Sequence, residues 1–579
     1  MRYSPKSNPL FHEKILLTTK ILTINTITTM KKLLLNLLLA AITTMTAASA
    51  QNYDFMVNGI YYKINQDSVS VGVTYKKSIY SNSETYTGHV AIPEEVSYGD
   101  MNYTVTAIDA YAFYNCDELI SVELPGSVIM IKEYAFQGCT ALSSVIIPDS
   151  VISIGIDAFN KCQSLTELFI PASVRVINPG TFSGCYGLTS IVVDENNLYF
   201  DSRENCNAII GKERNELIAA CINTEIPNSV KRIARDAFGG FTWLTEVNLP
   251  DSLEYIGQNA FYGCIGLTSI DIPNTVTEID DCAFAYCSGL TEVVLPESLI
   301  TLGGCVFMDC TGLTSMFIPA SVEYIGSNLL ARASNITSIN VDHRNRYYDS
   351  RNNCNAIIQS KTNSLIIGCN YTTIPEGIVN INEGAFTDCD KITNIVLPST
   401  LYVIRYGAFY NCTALTSIVI PEGVVQIAGE AFRNCINLTS VSLPSTLHDV
   451  GAFSIGVYCF YGCNSLKDVI CFSQTPPQIF SYGCFEMTTY QDATLYVPSE
   501  SITNYQSAAF WRKFISIKPI NLIIHGDVDG DGKLGINDVT DLIDLLLNGG
   551  EMPSVADVDG DGIVNISDVT ALIDLLLNQ

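Results

Sequence analysis

Histidine is scarce in this chain of 579 residues, with only five present. They stand apart, at His12, His89, His343, His448 and His525, so the sequence offers no group of imidazoles for metal binding or acid–base work. No G-x-S-x-G, no H-E-x-x-H, no Gly-rich phosphate loop and no C-x-x-C knuckle pair occurs. Basic residues are also few, 31 Lys and Arg against 59 Asp and Glu, for a formal net charge of -28. Without a basic stripe to meet phosphate, nucleic acid is not expected as a partner. Long apolar runs are missing too. The one clear run, at 33–41, is too short to span a bilayer, so no transmembrane anchor is expected.

That run has a different use. Met30-Lys31-Lys32 is a short basic head, and Ala48-Ser49-Ala50 is an A-x-A-like cleavage site. Residues 30–50 read as a secretory signal peptide, with a mature chain starting at Gln51. Residues 1–29 precede a complete signal, which points to Met30 as the true start. The expected localisation is secreted or extracellular, associated with the cell surface.

Against these absences stands a strict repeat. The unit reads L-T-S-I-V-I-P-E-G-V-V-Q-I-A-G-E-A-F-R-N-C over 415–435. Its Pro recurs every 23 residues in three groups: Pro125, Pro148, Pro171; then Pro227, Pro250, Pro273, Pro296, Pro319; then Pro375, Pro398, Pro421, Pro444. Phe113, Phe136, Phe159 and Phe182 keep the same interval, as do Cys116, Cys139, Cys162 and Cys185. A fixed period of this length means a solenoid, in which each coil buries its apolar face against its neighbours. The two gaps, Pro171 to Pro227 and Pro319 to Pro375, are each 56 residues, so each holds one coil that is ten residues longer. The long coils match, with D-S-R-E-N-C-N-A-I-I at 201–210 and D-S-R-N-N-C-N-A-I-I at 349–358. They lie 148 residues apart, which implies a higher-order duplication.

Residues 51–105 lack the period but place Tyr61, Tyr62, Ile64, Val69, Val71 and Val73 like strand residues, and read as a β-rich N-terminal cap. The repeats occupy 106–473. In each, L-T-S-I-x-I-P predicts a strand whose alternation turns Val122 and Leu124, Leu168 and Ile170, or Ile418 and Ile420 inward, and the Pro ends it. S-V-x-x-I-G predicts a second short strand or turn, and A-F-x-G-C a tight turn with Phe in the core. Residues 474–520 break the interval and carry Tyr505, Trp511 and Phe514, as a C-terminal cap would. Of the twenty Cys, eleven occupy the ladder position, where Phe241 substitutes in one coil. A slot that accepts Phe is apolar, so these are read as buried, inert thiols. Cys282 and Cys305 lie one repeat apart and off the ladder, where a disulfide between adjacent coils is one reading and free thiols the other.

The unit resembles the BspA-type leucine-rich repeats of bacterial surface and secreted proteins. The resemblance rests on L-T-S-I-x-I-P-x-S-V-x-x-I-G-x-x-A-F-x-x-C and covers about two-thirds of the chain. It implies a curved solenoid of parallel strands that binds a protein or glycan ligand through its strand faces. The conspicuous outward residues are Phe169 and Phe317, each just before the Pro that precedes a long coil. They are candidate ligand contacts; the competing reading packs them under the long coils.

The end of the chain holds a different signal. Asp527, Asp529 and Asp531, followed by Gly532, match Asp557, Asp559 and Asp561, followed by Gly562. In each loop, carboxylates at positions 1, 3 and 5, Gly at 6, a main-chain carbonyl at 7 (Lys533, Ile563) and Asp at 12 (Asp538, Asp568) suit Ca2+, a hard cation that takes six to eight oxygens. Two Ca2+ ions are expected. Each loop runs into D-V-T-x-L-I-D-L-L-L-N, where Val539, Leu542, Ile543, Leu546 and Leu547 fall at helical spacing as one apolar stripe. Duplicated loop-plus-helix units resemble a type I dockerin, covering 521–579. That resemblance implies two packed helices, docking onto a cohesin-type partner, and partner-reading positions at Ile536, Asn537, Ile566 and Ser567. Leu545 and Leu575 lie off the stripe and are further partner-contact candidates.

The expected fold is thus a β-rich leucine-rich-repeat solenoid of parallel strands and 23-residue repeats, with a β-rich N-terminal cap and a small helical, Ca2+-binding dockerin. The expected function is a non-catalytic binding protein, since no segment outside the repeats could hold a conventional hydrolase domain. The alternatives are a substrate-binding component of a polysaccharide-degrading, cellulosome-like assembly, or an architectural surface spacer.

Overall fold

The computed structural model describes residues 52–75, 86–447, 454–479, 483–520, 528, 535–549, 556, 558 and 564–577. The chain divides into two units, Met1–Asn335 and Ile336–Gln579.

In the first unit, two antiparallel pairings lead in. Phe55–Val57 pairs with Ile60–Ile64, which pairs with Ser70–Thr74. From there the pairing turns parallel: Ser70–Thr74 lies beside Met101–Ile108, and that strand beside Met130–Ile131, Ser153–Ile154 and Val176–Ile177 in turn. The residues expected as the N-terminal cap therefore form the first edge of the sheet that the repeats extend. Tyr62, Val71 and Val73 are buried as their alternation predicts. Val69 is exposed instead, because it sits in the turn before Ser70, where Asp67 accepts its N–H.

Most coils contribute two short strands, and S-V-x-x-I-G forms a strand even at Tyr255–Ile256 and Val403–Ile404, where the segment before the Pro does not. The register steps by 23 residues, as in Ser153↔Val176 on one side and Leu168↔Ile191 on the other. Val122, Leu168, Ile170, Ile418 and Ile420 are buried, and Leu124 is partly so. The A-F turn lies between left-handed residues. Two positions before and after the ladder Phe the backbone takes positive φ, as at Tyr134 and Gly138 (59° and 77°) or Cys305 and Asp309 (55° and 57°). A non-Gly residue there costs roughly 1–2 kcal/mol, offset by the Phe that the double bend drives inward.

The rings then stack coil on coil. Phe113, Phe136, Phe159 and Phe182 have centroids 4.9, 5.0 and 5.7 Å apart with planes within 8°. In the second unit Phe386, Phe409, Phe432, Phe460 and Phe485 repeat the stack at 4.9 to 5.4 Å. The last ring meets Tyr490, Trp511 and Phe514 edge-on, at 5.7, 6.2 and 5.4 Å, which closes the column. Tyr505 donates to the Ser473 carbonyl and Trp511 to the Pro477 carbonyl, so both buried aromatics have satisfied polar atoms.

The ladder Cys are buried and do a specific job. Nine of the eleven, all but Cys116 and Cys389, donate the S–H to the carbonyl of the Phe one coil back, as Cys139 to Phe113 at 3.0 Å, Cys162 to Phe136 at 3.2 Å, Cys287 to Phe261 at 3.1 Å and Cys412 to Phe386 at 3.2 Å. Burial pushes the thiols of Cys116 and Cys287 up to about 12, so these two stay protonated.

The longer coils are hairpins. Phe200–Asp201, Ile209–Gly211 and Glu216–Ala219 pair antiparallel, and the last rejoins the parallel stack through Glu216↔Arg232. Tyr348–Asp349, Ile357–Gln359 and Ser364–Ile367 repeat this in the second unit, and the register shift between Ile209 and Ile210 recurs between Ile357 and Ile358. The repeated D-S-R motif is explained by its own bonds. Arg203 Nε and an Nη clasp Asp201 at 2.8 and 2.9 Å, while its other Nη donates to Asn215 at 2.9 Å. Arg351 does the same with Asp349, at 2.7 Å for both contacts, and with Asn363 at 2.9 Å. No helix among the described residues is long and apolar enough to cross a membrane.

Candidate functional site

Of the ten expected Ca2+ ligands, Asp527, Asp529, Asp531, Lys533, Asp557, Asp559, Asp561 and Ile563 lie outside the described residues. The two position-12 carboxylates are described, and they are alike. Asp538 is 1% exposed and Asp568 0%. Asp538 accepts the Val528 N–H at 2.8 Å and the Gly535 N–H at 2.7 Å. Asp568 accepts the Val558 N–H at 2.7 Å and the Asn565 N–H at 2.8 Å. In each loop one carboxylate thus ties position 2 to position 9. It also caps the helix it stands in, being the third residue of Ile536–Asn548 or Ile566–Leu577. This capping carries both helices two residues further toward the loop than the apolar pattern indicated.

The two helices bury Val539, Leu542, Val569 and Leu572 together with Ala556, and Leu546 and Leu576 pack against this cluster. The expected stripe is therefore too wide. Ile543 and Leu547 are exposed, as are their counterparts Ile573 and Leu577. A two-helix cluster covers only the narrow seam at i, i+3 and i+7. Ile536, Asn537, Ile566 and Ser567 are exposed at the helix starts, Leu575 is exposed, and Leu545 is half-buried. Exposed Ile536, Ile566 and Leu575, with the unburied Ile543, Leu547, Ile573 and Leu577, thus put apolar side chains on the surface of the two helices.

On the solenoid, Phe169 and Phe317 are 48% and 49% exposed. They do not pack under the long coils. Each is the outward residue of a strand, in Glu167–Ile170 and Ser315–Ile318, whose alternate residues are buried. Phe169 lies in register with exposed Val192, and exposed Ile146 occupies the same position one repeat earlier. Val294 holds that position before Phe317, and Val396 and Val419 hold it in the second unit. The outward strand position is therefore apolar in short runs, at 146, 169 and 192, at 294 and 317, and at 396 and 419, with polar residues such as Glu123, Asp271 and Asn340 in other coils, and only its two Phe stood out in the sequence.

The sequence reading missed an open groove of about 620 Å³ beside the first long coil, lined among others by Arg175, Leu198, Tyr199, Lys212 and Arg214. Lys212 is committed to the Asn197 carbonyl at 2.6 Å. The cations come from the repeat at 175 and the hairpin at 212–214, so no contiguous basic run marks them in the sequence.

The family model of the BspA type leucine rich repeat region matches residues 100–212, 216–337, 356–454 and 451–523, well over half of the chain. The chain belongs to the BspA-type leucine-rich repeat family. Similar solved structures include a leucine-rich repeat protein from Bacteroides ovatus, 25% identical over 72% of this chain and 94% of that one, with a TM-score of 0.35. A leucine rich cell surface protein from Faecalibacterium prausnitzii is 20% identical over 72% and 94%, with a TM-score of 0.33. A leucine-rich repeat protein from Eubacterium ventriosum is 19% identical over 67% and 93%, with a TM-score of 0.36. No curated protein matches the chain. The BspA-type match includes the cap strand Met101–Ile108 and extends to 523, but stops short of the Asp527 and Asp557 loops.

Proposed function

We propose that this BspA-type protein is an exported, cell-surface binding protein without catalytic activity, made of two working parts. The solenoid recognises a protein or glycan through the outward row that includes Phe169 and Phe317. The segment 521–579 is a dockerin that holds two Ca2+ ions and attaches the solenoid to a cohesin-type partner. Family membership supports the first part, since such repeats are typical of surface proteins.

The observation that carries the second part is the pair of buried carboxylates. Sequestering an anion from water costs several kcal/mol unless donors and cations compensate it. Asp538 and Asp568 each have two backbone donors from the loop they close, and the sequence of each loop supplies three further carboxylates, the ligand type that Ca2+ takes. Asp527, Asp529, Asp531 and the Lys533 carbonyl would complete the first site with Asp538; Asp557, Asp559, Asp561 and the Ile563 carbonyl would complete the second with Asp568. A bound ion would supply positive charge that lets each loop close and its helix persist. The exposed Ile536, Ile566 and Leu575 would then meet the partner.

Isothermal calorimetry of Ca2+ into the full chain tests this, with the Asp527→Ala/Asp557→Ala double variant beside it. Two ions per chain, with binding lost in the variant, is the expected result. No heat in the wild type would leave the helix pair without a metal and remove the basis for docking. A glycan and protein array with the wild type and a Phe169→Ala/Phe317→Ala variant tests the first part. Retention on a plant-type polysaccharide would favour the substrate-binding role in a polysaccharide-degrading assembly.

A further inference from the structure

Twenty cysteines are present, and eighteen are buried. The two that are not, Cys282 and Cys305, are neighbours. We propose that they form a covalent clamp, one disulfide between successive coils of the first unit.

The geometry supports the bond. On one side of the pair Ile279 lies in register with Leu302, and on the other the Phe284 N–H donates to the Val306 carbonyl. Cys282 itself donates to the Gly304 carbonyl at 2.9 Å. Residues in register on adjacent strands lie about 4.8 Å apart, inside the roughly 4.4–6.8 Å Cα window of a disulfide. Both residues have the same backbone conformation, φ 57° and 55°, so their Cβ atoms leave the chain on the same side. The two thiols are near enough to shift each other's titration.

The choice of residue has no local explanation. The same left-handed position holds Tyr111, Tyr134, Asp157, Gly180, Asp236, Asn259 and Asn328 in other coils. Gly, Asn and Asp suit positive φ; Cys has no such advantage. Nor is it a core position, as the ladder position is. Two successive cysteines at a half-exposed turn make sense as partners for each other.

The chemistry balances as thiol–disulfide exchange. A thiolate of the pair attacks a disulfide oxidant and forms a mixed disulfide, releasing one oxidant thiol. The second cysteine then attacks the protein sulfur of that bond and releases the other. Two electrons and two protons pass from the cysteine pair to the oxidant's sulfurs. Burial first, then the neighbouring Cys305 and Asp281, push the Cys282 thiol up to about 11, and burial raises Cys305 as well. Such thiols are poor nucleophiles at neutral pH, and a disulfide whose thiolates are not stabilised resists reduction. The pair therefore suits a lasting cross-link and not a catalytic one.

The test uses the full chain, purified reduced and then exposed to glutathione disulfide, so that its outcome does not depend on export or on Ca2+. The protein is denatured, alkylated without reductant and cut after Glu. Cleavage at Glu278, Glu292, Glu297 and Glu323 separates 279–292 from 298–323. The expected product is these two peptides joined, with Cys287 and Cys310 alkylated and eighteen modified thiols in the intact chain. In addition, the thermal midpoint of the wild type should fall on reduction while that of Cys305→Ser does not move. Twenty alkylated thiols would overturn the proposal. So would separate glutathione adducts on Cys282 and Cys305 without the link, since they would show both thiols accessible but unable to meet.

Discussion

The solenoid and the C-terminal helix pair solve the same problem with opposite means. A coil of 23 residues buries Phe, Leu, Ile and Cys against both neighbours, so its stability is apolar and shared along the stack. Among the described residues, the helix pair and Ala556 bury five apolar side chains, and beside them two carboxylates. Elements with so small a core usually depend on a staple. The contrast teaches where to look for function. A region with little apolar burial is where a stabilising ligand is worth seeking, and the proposed Ca2+ is the one its carboxylates suit.

Removing the proposed Ca2+ should break the comparison most sharply. With EDTA, the helical signal of the full chain should be lost and proteolysis after 520 should accelerate, while the β signal persists, as for other small domains whose folding energy is metal binding. Loss of both signals together, or of neither, would remove the distinction. Alkali should do the reverse. Burial holds Cys116, Cys287 and Tyr62 at about 12, above their unfolded values. The folded chain keeps protons that the unfolded chain gives up. This stability is complete below about pH 9 for the thiols and is lost as pH rises toward 12. Residues 521–579 contain no Cys and no Tyr, so the helix pair has no share in that loss. Melts at rising pH in saturating Ca2+ should therefore show the β transition moving down while the helical one stays.

The solenoid was largely legible because its determinants are local and repeated. Pro125, Phe136 and Cys139 recur at a fixed interval, and each repeats the same contact one coil on. The unread parts depend on contacts that the interval does not encode. Phe169 gave no sign of whether a long coil would cover it, since that depends on the path of a hairpin closed by Asp201, Arg203 and Asn215. Periodicity gave Ile543 and Leu547 to the buried stripe, yet a two-helix seam has room only for Val539, Leu542 and Leu546. The groove at Arg175 and Arg214 joins residues of different coils. In the C-terminal segment, the loop spacing was legible at once, but the bond between Asp538 and the Val528 N–H, ten residues away, needed the structure.

A single ring tests how far stacking is shared. Phe409 lies between Phe386 and Phe432 with planes within 3°. Phe409→Ala should cost about 3–5 kcal/mol, with hydrogen exchange rising first in the coils at 386 and 432 and the helix pair unaffected. Exchange rising uniformly through the chain would mean that the stack opens as one unit rather than coil by coil.

The smallest effect on stability is the most informative about recognition. Phe169 projects from a strand whose buried residues are Leu168 and Ile170, so Phe169→Ala removes a half-exposed ring and opens no cavity. Its thermal midpoint should stay close to wild type, since surface changes away from the core usually lie within about 0.5 kcal/mol. A ligand that uses the outward row should lose affinity about tenfold or more, the range of an aromatic contact at the centre of an interface. An unchanged midpoint with unchanged affinity would move recognition off this row, toward the groove at Arg175 and Arg214. A large drop in midpoint would show that the ring supports the strand, and the outward row would then belong with the stacked core and not with the surface that meets a partner.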